Sequence, residues 1–287
     1  MTGSGAVTHD PSDIRRLLDR HGLSPRRAFG QNFVVDANTV RRIARLAGVG
    51  PGDRVVEIGA GLGSLTLALA ETGAEIVAVE VDRDLVPVLT EQVAERGVRV
   101  VQGDALTLDW DEVLGHRGPW HLVANLPYNV ATPLVLDLLR RVEVITDMLV
   151  MVQKEVGERL VAAPGTRAAG IPSVLVAYHA TGEIVGRVPA AVFHPRPRVE
   201  SVLVRLRRRP APAVDVPLDE IEPLVRTAFS QRRKMLRRSL AGRIPAERIE
   251  AAGIDPAARP EQLSLAEWAA LARAARPTSG PSPRTAR

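Results

Sequence analysis

Two stretches of the chain carry residue types and spacings suited to chemistry. Glu57-Ile58-Gly59-Ala60-Gly61-Leu62-Gly63 follows a short apolar run and precedes a helix-forming segment. Glycines there allow a sharp turn and a close approach of backbone to ligand. The next apolar run ends in Glu80, whose carboxylate can accept both hydroxyls of a ribose. This pattern fits a dinucleotide site, an S-adenosylmethionine site, or a glycine turn with no ligand. Ser64 stands where the dinucleotide fingerprint wants its last glycine, which tilts the choice away from a dinucleotide. A third run ends in Gly103-Asp104 and a fourth in Asn125-Leu126-Pro127-Tyr128. The Asp104 carboxylate could accept from an adenine amino group, or simply form a turn.

The second stretch, Asn125–Tyr128, suits chemistry on an exocyclic amine. Such an amine is a poor nucleophile because its lone pair is delocalised into the ring. Two acceptors aimed at its protons, the Asn125 side-chain oxygen and the Leu126 carbonyl, would favour a pyramidal nitrogen. Pro127 stiffens the turn and pushes Leu126 out of the helical region. Tyr128 can stack on a purine face. This is catalysis by position and electrostatics, with in-line attack on a sulfonium methyl and no obvious general base. The bland alternative is a tight turn with a core tyrosine.

The elements that must hold these residues alternate. Strands are expected at Arg54–Ile58, Glu75–Glu80, Val98–Gln102, His121–Ala124 and Asp147–Gln153. Helices are expected at Ser64–Thr72, Asp84–Arg96 and Thr132–Arg140 between them, after an early helix capped by Ser12 and another following Asp36. That alternation implies an α/β fold with a parallel, doubly wound, Rossmann-like sheet. Ligands of such sheets sit beyond the carboxyl ends of the strands. Glu183–Val188 and Ser201–Leu206 read as an antiparallel hairpin at the sheet edge, and Pro210–Pro217 as a linker. The expected division is a flexible terminus over 1–10, a catalytic domain over 11–209, a small all-helical domain over 210–276 and a flexible tail over 277–287.

Composition narrows the class. The chain has 287 residues, a hydrophobic fraction of 45% and no cysteine, so disulfides, thiolate zinc sites and a cysteine nucleophile are excluded. The start has no signal-peptide pattern and no apolar run is long enough to span a membrane. The six histidines show no metal-ligand spacing, so no metal is expected. The net charge of +5 is lopsided, with 17 basic and 9 acidic residues from Arg205 onward. A basic tail suits nucleic acid, although solvated surface charge explains it about as well. Nine residues are aromatic, and an aliphatic core leaves Phe33, Tyr128, Phe193 and Phe229 free for stacking on bases and cofactor.

Taken together, these motifs resemble the ribosomal RNA adenine dimethyltransferase family, most closely its bacterial KsgA/RsmA-type members. Further stretches are similar to family elements: Gly30-Gln31-Asn32-Phe33-Val34 (with Val34 for the usual Leu), Gln153-Lys154-Glu155-Val156, Phe193–Ser201 (with Arg198 for the usual Lys) and Phe229-Ser230-Gln231-Arg232-Arg233-Lys234. The resemblance implies an S-adenosylmethionine-dependent enzyme. Its cofactor contacts would be Gln31, Asn32, Val34, Gly59, Gly61, Glu80, Asp104 and Asn125, and its catalytic motif Asn125, Leu126, Pro127 and Tyr128. It also implies RNA contacts at Tyr128, Phe193, Arg198, Phe229, Arg232, Arg233 and Lys234, with Tyr128 and Phe193 clamping the target base. The implied reaction adds two methyls to each of two adjacent adenines near the 3′ end of 16S RNA in an immature small subunit, catalysed by a cytoplasmic monomer. Rival readings are a large-subunit RNA methyltransferase conferring antibiotic resistance, a non-catalytic ribosome-assembly factor, and a nicotinamide oxidoreductase.

Overall fold

A computed structural model describes residues 10–25, 31–116, 118–127 and 130–276. In chain order the elements are α1 (Pro11–Arg20), β1 (Phe33–Val34), α2 (Ala37–Ala47), β2 (Arg54–Ile58), α3 (Ser64–Ala70), β3 (Glu75–Glu80), α4 (Val86–Val93) and β4 (Arg99–Gln102). There follow α5 (Trp110–Leu114), β5 (Trp120–Asn125), α6 (Ala131–Arg141), β6 (Ile145–Gln153), α7 (Lys154–Leu160), α8 (Ile171–His179), β7 (Ala180–Val188), β8 (Phe193–His194) and β9 (Ser201–Arg208). The chain ends in α9 (Leu218–Ser230), α10 (Leu236–Ser239), α11 (Ala246–Ala251) and α12 (Leu265–Ala275).

Seven strands form one sheet in the order β4-β3-β2-β5-β6-β9-β7. The five central and left-hand strands are parallel, and β9 pairs antiparallel with both β6 and β7. The expected α/β architecture is therefore present. The hairpin differs in one respect: β9 inserts beside β6 and the earlier strand, β7, forms the edge. From β2 the chain winds outward to β3 and β4, then returns to β5 on the other side. That reversal is the topological switch point, where the carboxyl ends of β2 and β5 open a crevice.

Local sequence explains the helix starts. Asp10, not Ser12, caps α1: its carboxylate accepts from the Ser12 and Asp13 backbone N–H groups, with Pro11 at the first turn. Asp36 caps α2 by accepting from Thr39 N–H. The helix expected over Asp84–Arg96 is shorter, because Pro87 fits only its first turn. Three helices were not expected. α5 is a five-residue segment capped by Asp109. α7 starts directly at the end of β6, with no loop to signal it. α8 is apolar nearly all round, so its sequence lacks a helical period.

Two compact units result: one of residues 1–161 and 179–211, the other of 162–178 and 212–287. The break after residue 211 lies close to the expected boundary at 209, and the second unit also takes 162–178 from the middle of the chain. Val174 and Tyr178 of α8 belong to the second unit's apolar core, with Ile221, Val225, Leu236 and Trp268. Burying that shared surface draws a segment from the middle of the chain into the helical unit.

Arginines of β9 anchor helix ends in the first unit. The Arg208 guanidinium donates to the carbonyls of Leu138, Leu139 and Val142 at the end of α6, and to Ile145 at the start of β6, at 2.8–3.1 Å. Arg205 donates to Leu46 and Ala47 at the end of α2 and to the Asp147 carboxylate. Of these, the Leu46, Ala47 and Leu139 carbonyls are ones that a helix end otherwise leaves orphaned, and a cation there complements the helix dipole. Arg208→Ala should lower the unfolding free energy by about 2–4 kcal/mol, measured by urea denaturation. Arg208→Lys should recover less than half, since an ammonium cannot match the planar fork. A loss below about 0.5 kcal/mol would refute the anchoring role.

Candidate active site

The first unit's site is built where β2, β3, β4 and β5 end side by side. The chain leaves β2 through Gly59, Gly61 and Gly63, at φ +74°, +59° and +88°. At Gly61 both conformation and space require glycine: an added Cβ would lie 3.1 Å from the Phe33 ring. Glu80, 4% exposed, ends β3 and ties this loop down. One carboxylate oxygen accepts from Gly61 N–H at 2.7 Å and the other from Asp82 N–H at 2.9 Å. Burial raises the Glu80 pKa, against the lowering effect of those two N–H groups.

Asp82 is the next link. Its carboxylate accepts from Gln31 Nε2 at 2.9 Å and from Asp84 N–H at 3.1 Å. The segment holding Gln31 continues into β1, which pairs antiparallel with β8: Phe33 opposes His194 and Val34 opposes Phe193. Between these anchors, Asn32 offers its carbonyl to Asn125 Nδ2 at 3.1 Å. That bond fixes the Asn125 amide, placing Oδ1 on the opposite edge as the acceptor. Leu126, directly after β5, is held by its own N–H on Met151 O at 3.1 Å.

Gln31, Asn32, Val34, Gly59, Gly61, Glu80, Asn125, Leu126 and Pro127 line one cavity. An adjoining apolar hollow is lined by Ile58, Val79, Leu106 and Leu134, and also by Asp104. Asp104 is an exposed strand-end residue whose carboxylate also accepts from Leu106 N–H. Val81 lines both cavities and is 43% exposed, an apolar surface that suits the face of a nucleobase. Sequence reasoning missed Val81 and Asp82, though both directly follow the strand-end Glu80. It also gave no role to Glu57 or Ser64. Glu57 and Ser64 line the first cavity, and among the described residues Glu57 Oε2 and Ser64 Oγ are buried without a hydrogen-bond partner. Two orphaned acceptors beside a carboxylate-anchored glycine loop fit a ligand rich in donors, such as an adenosyl amino acid.

The expected aromatic platform is only partly as read from the sequence. Tyr128 and Gly30 lie outside the described residues. Phe33 is 8% exposed and packs with Ile14, Leu18 and Leu62 over the glycine loop. Phe193 is 4% exposed and packs with Val34, Val188 and Leu203, so its ring faces are covered by core. Phe229 packs on the second unit's core, its ring 6.2 Å from that of Trp268. Phe33 also lines the first cavity, while Phe193 and Phe229 pack on apolar clusters. Arg198 is exposed. In the second unit Arg232 is committed to the structure: it donates to Arg167 O at 2.8 Å and lies 3.8 Å from Glu261. Arg233 and Lys234 are exposed in the turn after α9. Among the described residues no cluster of three or more metal-ligating side chains occurs, and no helix is long and apolar enough to cross a membrane.

A switch-point crevice with a glycine loop, a buried strand-end acid and an oriented asparagine defines a Rossmann-like methyltransferase domain. The chain belongs to the ribosomal RNA adenine dimethylase family, whose profile matches residues 22–276. It is 50% identical over 270 residues to "Ribosomal RNA small subunit methyltransferase A" of Kineococcus radiotolerans, covering 91% of this chain and 89% of that one. Its identity to the protein of that name from Cutibacterium acnes is 48% over 281 residues, covering 92% and 93%. Among solved structures, the 23S rRNA methyltransferase ErmE superposes with a TM-score of 0.66 at 26% identity, covering 85% of this chain and 99% of that one. A dimethyladenosine transferase from Plasmodium falciparum has the same fold, with a TM-score of 0.70 at 22% identity over 82% of this chain and 94% of that one.

Gly61→Ala should weaken S-adenosylhomocysteine binding at least tenfold by calorimetry, since a strained loop moves the N–H that Glu80 holds. Unchanged affinity would mean that the loop does not shape the ligand site.

Proposed function

We propose that this chain transfers methyl groups from S-adenosylmethionine to N6 of two adjacent adenosines near the 3′ end of 16S rRNA, two to each, acting as a monomer on an immature small subunit in the cytoplasm. The observation that carries this reading is the oriented amide of Asn125 at the end of β5, within the crevice that Glu80 and the glycine loop shape. The relatives' small-subunit names supply the choice of ribosomal particle.

The donor, when bound, supplies an electrophilic methyl on a sulfonium. The residues of this chain do the rest. Glu80 and the Gly59–Gly63 loop would hold the ribose and amino-acid tail, while Asp104 and Val81 would hold the adenine. Asn125 Oδ1 and the Leu126 carbonyl would accept from the target amine, localising its lone pair toward the methyl. Tyr128 would stack on an extruded base, the usual mode for chemistry on a base edge. Because position and electrostatics supply the rate, no side chain need carry away the proton in the methyl-transfer step. Arg198, Arg233 and Lys234 are exposed cations suited to phosphates.

The reading is tested with labelled methyl donor and small or large subunits lacking the modification, followed by mapping of the labelled nucleotide. Label on adjacent small-subunit adenines is expected; label only on large-subunit RNA would overturn it. Asn125→Ala should abolish transfer while S-adenosylhomocysteine still binds, and full turnover would remove the role given to Asn125. Replacing Arg233 and Lys234 by Ala should reduce the salt slope of particle binding by about 1–2; an identical slope would make them ordinary solvated charge.

A further inference from the structure

Glu57 has no task in the mechanism above, yet its position is costly. It sits within β2, paired on one side with β3 at Ala78, and is 2% exposed. Its Oε2 has no hydrogen-bond partner among the described residues, and Glu57 lines the cavity with the glycine loop and Asn125. The charged and polar groups facing it give little support to an anion. Glu80, a second buried acid, repels it from β3; from α3, the Thr66 hydroxyl favours the ionised form, without forming a hydrogen bond to Oε2, and Ser64 Oγ is itself unpartnered. Two acids in one dry wall disfavour a second negative charge, by desolvation first and by mutual repulsion next. Burial accordingly pushes the Glu57 pKa up to about 8.

An orphaned buried acceptor beside a ligand cavity asks for a donor that arrives with the ligand. The amino-acid tail of an adenosyl amino acid carries one, a primary ammonium, and its charge compensates the second carboxylate. The methylated sulfur carries charge but no N–H, so it cannot satisfy Oε2. We propose that Glu57 is the proton-exchanging residue of the cofactor site: it is a carboxylic acid in the free protein and a carboxylate once the ligand's ammonium occupies the cavity, its proton passing to solvent. Cofactor binding is then coupled to proton release, and Glu57 selects ligands that retain the amino group. The inference rests on reading the cavity as an adenosyl amino-acid site.

Calorimetry of S-adenosylhomocysteine binding at pH 7, in buffers of different ionisation heat, reads the protons directly. The expected result is release of ~0.5–1 proton per ligand bound by the wild type and little or none by Glu57→Gln. 5′-Methylthioadenosine, which keeps the nucleoside and lacks the ammonium, should bind the wild type without proton release. Binding of S-adenosylhomocysteine without proton release, or equal release by wild type and Glu57→Gln, overturns the role of Glu57 alone. No binding of either nucleoside overturns the reading of the cavity itself. Should Glu57→Gln bind too weakly for calorimetry, carboxyl-13C glutamate spectra of the wild type follow the group directly, with Glu57→Gln used to assign it. A carboxyl that titrates near pH 8 only in the free protein supports the proposal, and one that titrates alike in both states refutes it.

Discussion

The Glu80 carboxylate, bridging Gly61 N–H and Asp82 N–H, is the interaction on which the site depends. A buried anion in a parallel sheet needs strong donors, and only the backbone of the neighbouring turns can supply them here. By taking Gly61 it sets the glycine loop; by taking Asp82 it sets the next turn. Asp82 then holds Gln31, and the adjoining Asn32 carbonyl holds the Asn125 amide. Four hydrogen bonds thus link the glycine loop to the end of β5. Asn125 is oriented by a segment far from it in sequence, itself clasped by a two-residue ladder to β8.

The central strands and the turns at their ends were legible because backbone geometry there demands residue type: glycine where φ is positive, an acid to hold the turn N–H groups, proline for a stiff turn after β5. The links between them were not legible. Gln31 to Asp82 and Phe33 to His194 join positions that share no local pattern, and a ladder of two residues leaves no periodicity. α8 hid for a different reason: burial on most sides removes the polar face that marks a helix. A count of rings carries no information on their direction. Phe193 and Phe229 lie in motifs associated with RNA, yet their rings turn into apolar clusters.

Basic residues divide by the same logic of direction. Arg205, Arg208 and Arg232 spend their donors on backbone carbonyls, so they act as internal fasteners. Arg233 and Lys234 remain at the surface. A net-charge argument treats all five alike, although only the outward-facing ones keep donors free for a phosphate.

The helical unit takes Ala162–Tyr178 from the middle of the chain and the rest from its end. Its core is consequently not encoded by one continuous stretch. A single recombination event after the sheet would deliver a partner lacking Val174 and Tyr178, and a terminal truncation would strand them. The two units are therefore bound to be inherited together: variation can reshape the helical unit's surface residue by residue, but cannot exchange it as a module.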